Sequence, residues 1–159
     1  MSIKRCKQNL DFSSKDRLST LAFQLNHLCD ELNGLFDINW GGCCYVAYCL
    51  AQLLEQDNIK FSIAVFDESV DLADYSSLLD LPDAMDHYGI VLEASNEMHP
   101  VNCDDTDFKL HNQLFKASAE EILVCYNTNH WNQRYDYRKN FPIKRLIEQA
   151  YHDFTQDLC

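Results

Sequence analysis

The sequence predicts an α+β domain in which helices pack on a small antiparallel sheet. Two observations lead to this class: segments with apolar residues at helical spacing occupy both ends of the chain, and short β-branched, apolar segments occupy its middle. The predicted order is helix, helix, strand, strand, strand, helix, helix. With 159 residues, of which 47% are hydrophobic and 24% charged, the chain is expected to fold as one domain over 1–159.

The first two helices are predicted from their apolar spacing. Residues 13–34 begin with two serines that can cap a helix, carry leucines at helical spacing, and are expected to end at Gly34. Residues 43–57 follow an irregular loop and place Val46, Leu50 and other apolar residues on one face.

The central strands are predicted from composition. KFSIAVFD at 60–67 is β-branched and apolar and indicates a strand. The acidic segment 68–86 lacks a clear period and is interpreted as an insertion with one helical turn. HYGIVLEA at 87–94 and HPVNC at 99–103 then predict a hairpin.

Two further helices are predicted in the last third of the chain. Residues 118–127 open with the capping-box pattern from Ser118 to Glu121. A polar and aromatic connection follows, and Pro142 is expected in the first turn of a last helix that runs to about residue 157.

Composition and charge narrow the functional classes. The formal net charge is −12, and such a surface repels a nucleic-acid backbone, so we expect no nucleic-acid binding. The sequence has no apolar run of about eighteen residues that would span a membrane, and its polar N-terminus is unlike a secretory signal. We therefore expect a soluble, cytoplasmic protein without membrane contact. The oligomeric state is left open.

The eight cysteines include no C-x-x-C pair, the spacing typical of zinc sites and redox motifs. Disulfides are not expected in a cytoplasmic protein, and most of these cysteines, Cys49 and Cys125 among them, are predicted to be small buried apolar residues. We expect neither a metal nor a cofactor. An alternative zinc site would have to come from a compact group near one strand: His99, Cys103, Asp104 and Asp105.

Two of the four glycines stand directly before two adjacent cysteines, where the second helix is predicted to begin. A helix N-terminus carries free N–H groups and a partial positive charge that stabilise a thiolate, and glycines permit close backbone approach. Cys43 is the candidate nucleophile because it shares a helix face with Val46 and Leu50, which is expected to face the sheet. Cys44 remains the alternative.

A cysteine nucleophile needs a base and a group that orients the base. His87 is the candidate base because it opens a predicted strand and so lies at an end of the sheet. A hairpin centred near residues 94 and 95 would bring Asn102 opposite His87, whereas a register shifted by one residue would bring Asp104 there. Either side chain can accept a hydrogen bond from the imidazole and fix its tautomer.

Three segments, GGCCYVAYCLAQLLEQDNIKFSIAVFD at 41–67, HYGIVLE at 87–93 and HPVNCDD at 99–105, together resemble the core of the papain-like cysteine peptidase superfamily, closest to its transglutaminase-like branch. The resemblance covers roughly residues 39–105. It implies a papain-like core and hydrolysis or transfer at an amide or ester of a protein or peptide substrate.

The same resemblance implies a Cys-His-Asn triad formed by Cys43, His87 and Asn102. The family's distance from nucleophile to the isoleucine before the next strand favours Cys43 with Ile59. Some acyltransferases of the superfamily instead have the order Gly-Gly-x-Cys, which corresponds to Cys44.

The chain departs from the family pattern just before the nucleophile. Many papain-like proteases have a glutamine there that helps to bind the oxyanion, but residues 37–40 of this chain contain none. Asn39 or the indole N–H of Trp40 is the candidate donor beside the backbone N–H of Cys43. The alternative to an enzyme is a catalytically inert papain-like module whose acidic surface docks a basic protein partner.

Overall fold

The computed structural model describes residues 15–82, 85–94, 96–103, 112–128 and 136–158. Within these ranges, five α-helices pack on a four-stranded antiparallel sheet. The helices are α1 Lys15–Phe36, α2 Cys43–Gln56, α3 Ala119–Thr128, α4 Tyr137–Asn140 and α5 Ile143–Asp157. The strands are β1 Phe61–Phe66, β2 His87–Ala94, β3 Glu97–Val101 and β4 Asn112–Phe115. The predicted α+β class is confirmed.

The strand order in the sheet is β3-β2-β1-β4. The predicted hairpin is formed by β2 and β3, and β1 lies on the other side of β2. The strand β4 was not predicted, because four residues without β-branched side chains give no strand signal. Its backbone instead finds partners along β1, where Phe115 pairs with Ile63.

The helix α2 lies at the centre of the domain. It packs on β2 and β1 on one side and on α3 and α5 on the others. Its first nine residues, Cys43 to Ala51, are all buried, so it is a core helix rather than the one-faced helix that the sequence predicted. Both cysteines at its start therefore lie in the interior.

The helix α1 packs on β3, β2 and α5. It continues past Gly34 to Phe36, so the expected end at Gly34 is wrong. The helix ends where Asp37 adopts a left-handed conformation with φ of 53°. The ring of Phe36 packs on Phe141 at 5.3 Å between centroids, which gives the extra turn a partner.

The segment between β1 and β2 contains two short 3-10 turns, Leu72–Asp74 and Leu78–Asp80. The side chains of Asp71 and Ser77 each accept a hydrogen bond from a backbone N–H at the start of the turn that follows. Both turns bury a leucine in the core, so this segment is more ordered than the single helical turn that was expected.

The cap predicted for the third helix is confirmed, since Ser118 Oγ accepts from the Glu121 N–H at 3.2 Å. The last helix begins at Ile143, directly after Pro142. The short helix α4 was not predicted and lies in the segment that was interpreted as a connection. Among the helices of the described residues, none is long and apolar enough to cross a membrane.

Candidate active site

The two glycines before α2 are required for different structural reasons. Gly41 has a φ of 113°, a conformation that L side chains rarely adopt. Gly42 has an ordinary φ, but a Cβ there would lie 2.8 Å from Cδ1 of Tyr137 and 3.1 Å from the Cα of Ile38. The segment before the cysteines therefore makes a turn that needs one glycine and then passes under an aromatic ring that needs the other.

Tyr137 joins the C-terminal part of the chain to this segment. Its ring covers Gly42 and packs at a tilt on Phe141, with 5.5 Å between the ring centroids. Its hydroxyl donates to the carbonyl of Asp37 at 3.0 Å. Tyr137 is buried in the main hydrophobic core of the domain.

Asn39, one candidate oxyanion donor, is exposed, and its backbone N–H donates to Asn33 Oδ1 at 3.0 Å. The side chain of Trp40, the other candidate, lies outside the described part of the structure. The assignment of the oxyanion donor stays a prediction. The N–H groups in the first turn of α2 are the donors that the helix itself supplies there.

Cys43 is the first residue of α2 and forms a side-chain hydrogen bond with His87, the first residue of β2. Burial of the Cys43 sulfur works to raise its pKa, but the hydrogen bond and charge of His87, with N–H groups of Tyr88 and Cys44, outweigh burial. The net result is a pKa of Cys43 below the ordinary value. This geometry favours the thiolate form of Cys43.

Cys44 has different surroundings although it is the next residue. Its thiol lies 3.7 Å from the carbonyl of Ile122 on α3 and donates to it. Burial, together with the nearby sulfurs of Cys43 and Cys125, raises the pKa of Cys44 well above the ordinary value. Cys44 therefore remains a protonated thiol that packs on α3.

The register of the β2–β3 hairpin is the shifted one. Ala94 pairs with Glu97 and Ile90 pairs with Val101. The hairpin is therefore centred between residues 95 and 96, one position later than between 94 and 95. Continued in that register, residue 104 would stand opposite His87, but Asp104 lies outside the described residues. The ladder itself ends at Val101.

Asn102 nevertheless reaches His87, because the chain leaves the ladder there with a φ of 55°. His87 Nε2 lies 2.5 Å from the main-chain oxygen of Asn102 and donates to it. The imidazole of His87 is thus bound by the main-chain carbonyl of Asn102, whereas the sequence predicted a bond to the Asn102 side chain. Nε2 is committed to that carbonyl, which leaves Nδ1 as the ring nitrogen for the Cys43 sulfur.

The structure adds Gly89 and Asn26 to the site, and sequence reasoning identified neither. A Cβ at Gly89 would lie 2.9 Å from the Asn102 carbonyl oxygen and 2.6 Å from Cys103 Sγ. Asn26 on α1 accepts a hydrogen bond from the Asn102 N–H at 2.8 Å. A glycine inside a predicted strand was the available signal for the first, since it often marks a close backbone approach. Asn26 lies 76 residues from Asn102 and gave no local signal.

Two other predictions concern the alternative zinc site and the cysteines Cys49 and Cys125. The described residues contain no group of three or more side chains placed to hold a metal ion. His99 Nε2 lies 3.8 Å from a Glu97 oxygen, and Asp105, like Asp104, lies outside the described residues. Cys49 is buried, as predicted, whereas Cys125 is only partly buried. Burial raises the pKa of Cys49 to about 12 and that of Cys125 to about 11.

Comparisons with known proteins give no relative for this chain: no family model, no curated protein and no solved structure matches it. The site is therefore interpreted from its own geometry.

Proposed function

We propose that this chain is a cysteine-dependent acyl hydrolase or acyl transferase with a papain-like core. The observation that carries the proposal is the hydrogen-bonded pair of Cys43 and His87, in which the thiol at the start of a central helix has a lowered pKa. A lowered thiol pKa beside a base is what a nucleophilic cysteine requires. The substrate class that we propose is a protein or peptide with an amide or ester carbonyl.

The proposed reaction begins with attack of the Cys43 thiolate on the carbonyl carbon. The oxyanion that forms accepts hydrogen bonds from N–H groups in the first turn of α2. The carbonyl carbon's bond to the leaving nitrogen or oxygen then breaks, and the His87 imidazolium donates its proton to the leaving group. The product of this half-reaction is a thioester on Cys43 and a neutral His87.

In the second half-reaction, neutral His87 takes a proton from water or from an amine, which attacks the thioester carbon. The carbon–sulfur bond breaks and the thiolate–imidazolium pair is restored. Water gives hydrolysis and an amine gives acyl transfer. Because Cys43 exposes only 2% of its surface, neighbouring groups have to move before a carbonyl can reach the sulfur.

The experiment uses p-nitrophenyl acetate, an activated ester, with intact-mass detection of the acetyl group on the protein. At about pH 6, below the ordinary thiol pKa of about 8.5, we expect one acetyl group on Cys43 in the wild-type chain. In Cys43→Ala, the amount of acetylated protein should fall by about a hundredfold or more. Cys44→Ala is the matched control, since it removes a neighbouring buried thiol and should retain the adduct. Equal acetylation of Cys43→Ala and the wild-type chain would contradict the proposal.

The inert binding module remains the second candidate because of the net charge of −12 and the burial of Cys43. It predicts a Cys43 thiol that titrates at about 8.5 or above and forms no acetyl adduct. An ultraviolet titration of the thiolate, taken as the difference between the wild-type chain and Cys43→Ala, separates the two. This measurement does not require a reagent to reach the sulfur.

A further inference from the structure

The ring of His87 is oriented by a main-chain carbonyl, and that carbonyl belongs to a residue in a left-handed conformation. A carbonyl cannot rotate about a side-chain bond, so its direction depends on what holds the backbone of Asn102. The Asn102 side chain does not provide this hold: its Nδ2 is buried and has no hydrogen-bond partner among the described residues. The control of the ring therefore lies with the groups that bind the main chain at this point.

Asn26 binds the main chain on both sides of the ladder's end. Its Oδ1 accepts from the Asn102 N–H at 2.8 Å, and its Nδ2 donates to the Pro100 carbonyl at 2.8 Å. Nδ2 also donates to the Ala22 carbonyl, one turn earlier in α1, at 3.0 Å. The side chain is thus fixed by its own helix while its amide bridges residues 100 and 102.

The opposite side of the same segment is set by Gly89. Because Gly89 has no side chain, the carbonyl of Asn102 and the sulfur of Cys103 pass where a Cβ would otherwise stand. Gly89 is two residues from His87 on β2, so the two residues lie on the same face of the strand. The Asn102 carbonyl is therefore held by Asn26 from α1 and by close contact with β2.

We infer that Asn26 is a positioning residue of the active site, which holds the Asn102 carbonyl in place to orient the His87 ring towards Cys43. The inference rests on the proposed function for its catalytic meaning. The group that completes the triad is the Asn102 main chain, and the Asn102 side chain serves only to tolerate the left-handed φ, as glycine also does.

The test measures the rate of Cys43 alkylation by iodoacetamide as a function of pH, in the wild-type chain and in variants of it. Asn26→Ala removes all three hydrogen bonds of the Asn26 side chain and keeps good helix propensity. It should shift the titration of Cys43 towards higher pH and reduce labelling at about pH 6 by about tenfold, because a higher pKa leaves less thiolate at that pH.

Tyr151→Phe is the matched control. Its hydroxyl donates to Asp57 Oδ2 at 2.7 Å, a bond across 94 residues of sequence between α5 and the end of α2. Loss of this bond should lower the melting temperature without moving the titration of Cys43. If Asn26→Ala only reduced the general stability of the fold, it too would leave the titration of Cys43 unmoved. If Asn26→Ala does not fold, Asn26→Leu, which fills the space of the amide, carries the same expectation.

The outcomes separate the two proposals. A wild-type titration near 8.5 or above overturns the proposed function itself. A low wild-type titration that persists in the Asn26 variants overturns only the positioning role. A titration that shifts as far in Tyr151→Phe as in Asn26→Ala also overturns the positioning role, because a general loss of stability would then account for it.

Discussion

The two sides of the first turn of α2 place chemically identical thiols in surroundings that shift their pKa values in opposite directions. On the side that faces β2, Cys43 meets an imidazole and N–H groups, and its pKa is lowered although burial opposes this. On the side that faces α3, Cys44 donates to a carbonyl, and burial together with nearby sulfurs raises its pKa. Both residues are almost fully buried, with 2% and 1% of their surface exposed.

Position at a helix N-terminus is therefore not sufficient to lower the pKa of a thiol. Both thiols lie in the first turn of the same helix and so share its partial positive charge. The pKa of each thiol is decided by what surrounds it: His87, at the start of β2, outweighs burial for Cys43, whereas burial and the sulfurs of Cys43 and Cys125 act together on Cys44. Substitutions at His87, at Gly42 and at the two cysteines test whether these surroundings account for the difference.

The largest effect is expected from removal of the imidazole. In His87→Gln, burial of Cys43 is no longer opposed by the charge of His87, so the pKa of Cys43 should rise to or above the ordinary value. Acetylation by p-nitrophenyl acetate at about pH 6 should fall by about a hundredfold or more. The control is His99→Gln, which changes a partly buried histidine on β3 and should leave acetylation unchanged. Unchanged acetylation in His87→Gln would show that the two thiols do not differ through this ring.

An intermediate effect is expected at the glycine that precedes both thiols. Gly42→Ala forces the Tyr137 ring and the start of α2 apart, because the added Cβ would lie 2.8 Å from Cδ1 of Tyr137. We expect a loss of about 1–3 kcal/mol in the free energy of unfolding, measured by urea denaturation.

Gly34→Ala is the control for this change. A Cβ at Gly34 meets nothing within 4 Å, and the residue lies inside α1, so alanine there should stabilise the fold by about 0.5–1 kcal/mol. Equal effects of the two substitutions would mean that the packing of Tyr137 on Gly42 does not hold the start of α2.

The smallest effect is a difference in the pH dependence of stability. The lowered pKa of Cys43 contributes stability that is present above the unfolded thiol pKa of about 8.5 and is lost as the pH falls through its folded pKa. The raised pKa of Cys44 contributes stability that is present below about pH 8.5 and is lost as the pH rises towards its folded pKa.

Urea denaturation at a series of pH values checks both signs. Relative to the wild-type chain, Cys43→Ala should gain less stability as the pH rises towards about 8.5, and Cys44→Ala should lose less above it. Differences of the same sign for the two variants would mean that the two pKa values are not shifted in opposite directions.

Much of the site followed from local sequence signals. Two glycines before a cysteine at a helix start, and a histidine at a strand start, each have a mechanism that acts over a few residues, and Cys43 and His87 were named from them. The hairpin register was left open between two possibilities, because one residue in the turn decides it and the turn sequence did not select between them.

The group that orients His87 could not be predicted from sequence. Sequence reasoning looks for side chains, whereas the bond runs to the main chain of Asn102, and every residue has a carbonyl. The position of that carbonyl depends on Asn26, on another helix, and on the missing side chain of Gly89. Likewise, Gly42 was noted as permissive, but its need became visible only from Tyr137, which follows it by 95 positions in the chain.

The amino-acid sequence alone specifies the α+β class, most helices and strands, and the two residues whose side chains do the proposed chemistry. Apolar spacing and helix-start and strand-start signals are local, so they act before the chain has folded. The tertiary structure decided which of two adjacent thiols meets an imidazole and which backbone group orients that imidazole. Those outcomes depend on contacts between residues far apart in sequence, and only the packed chain brings them within hydrogen-bond distance.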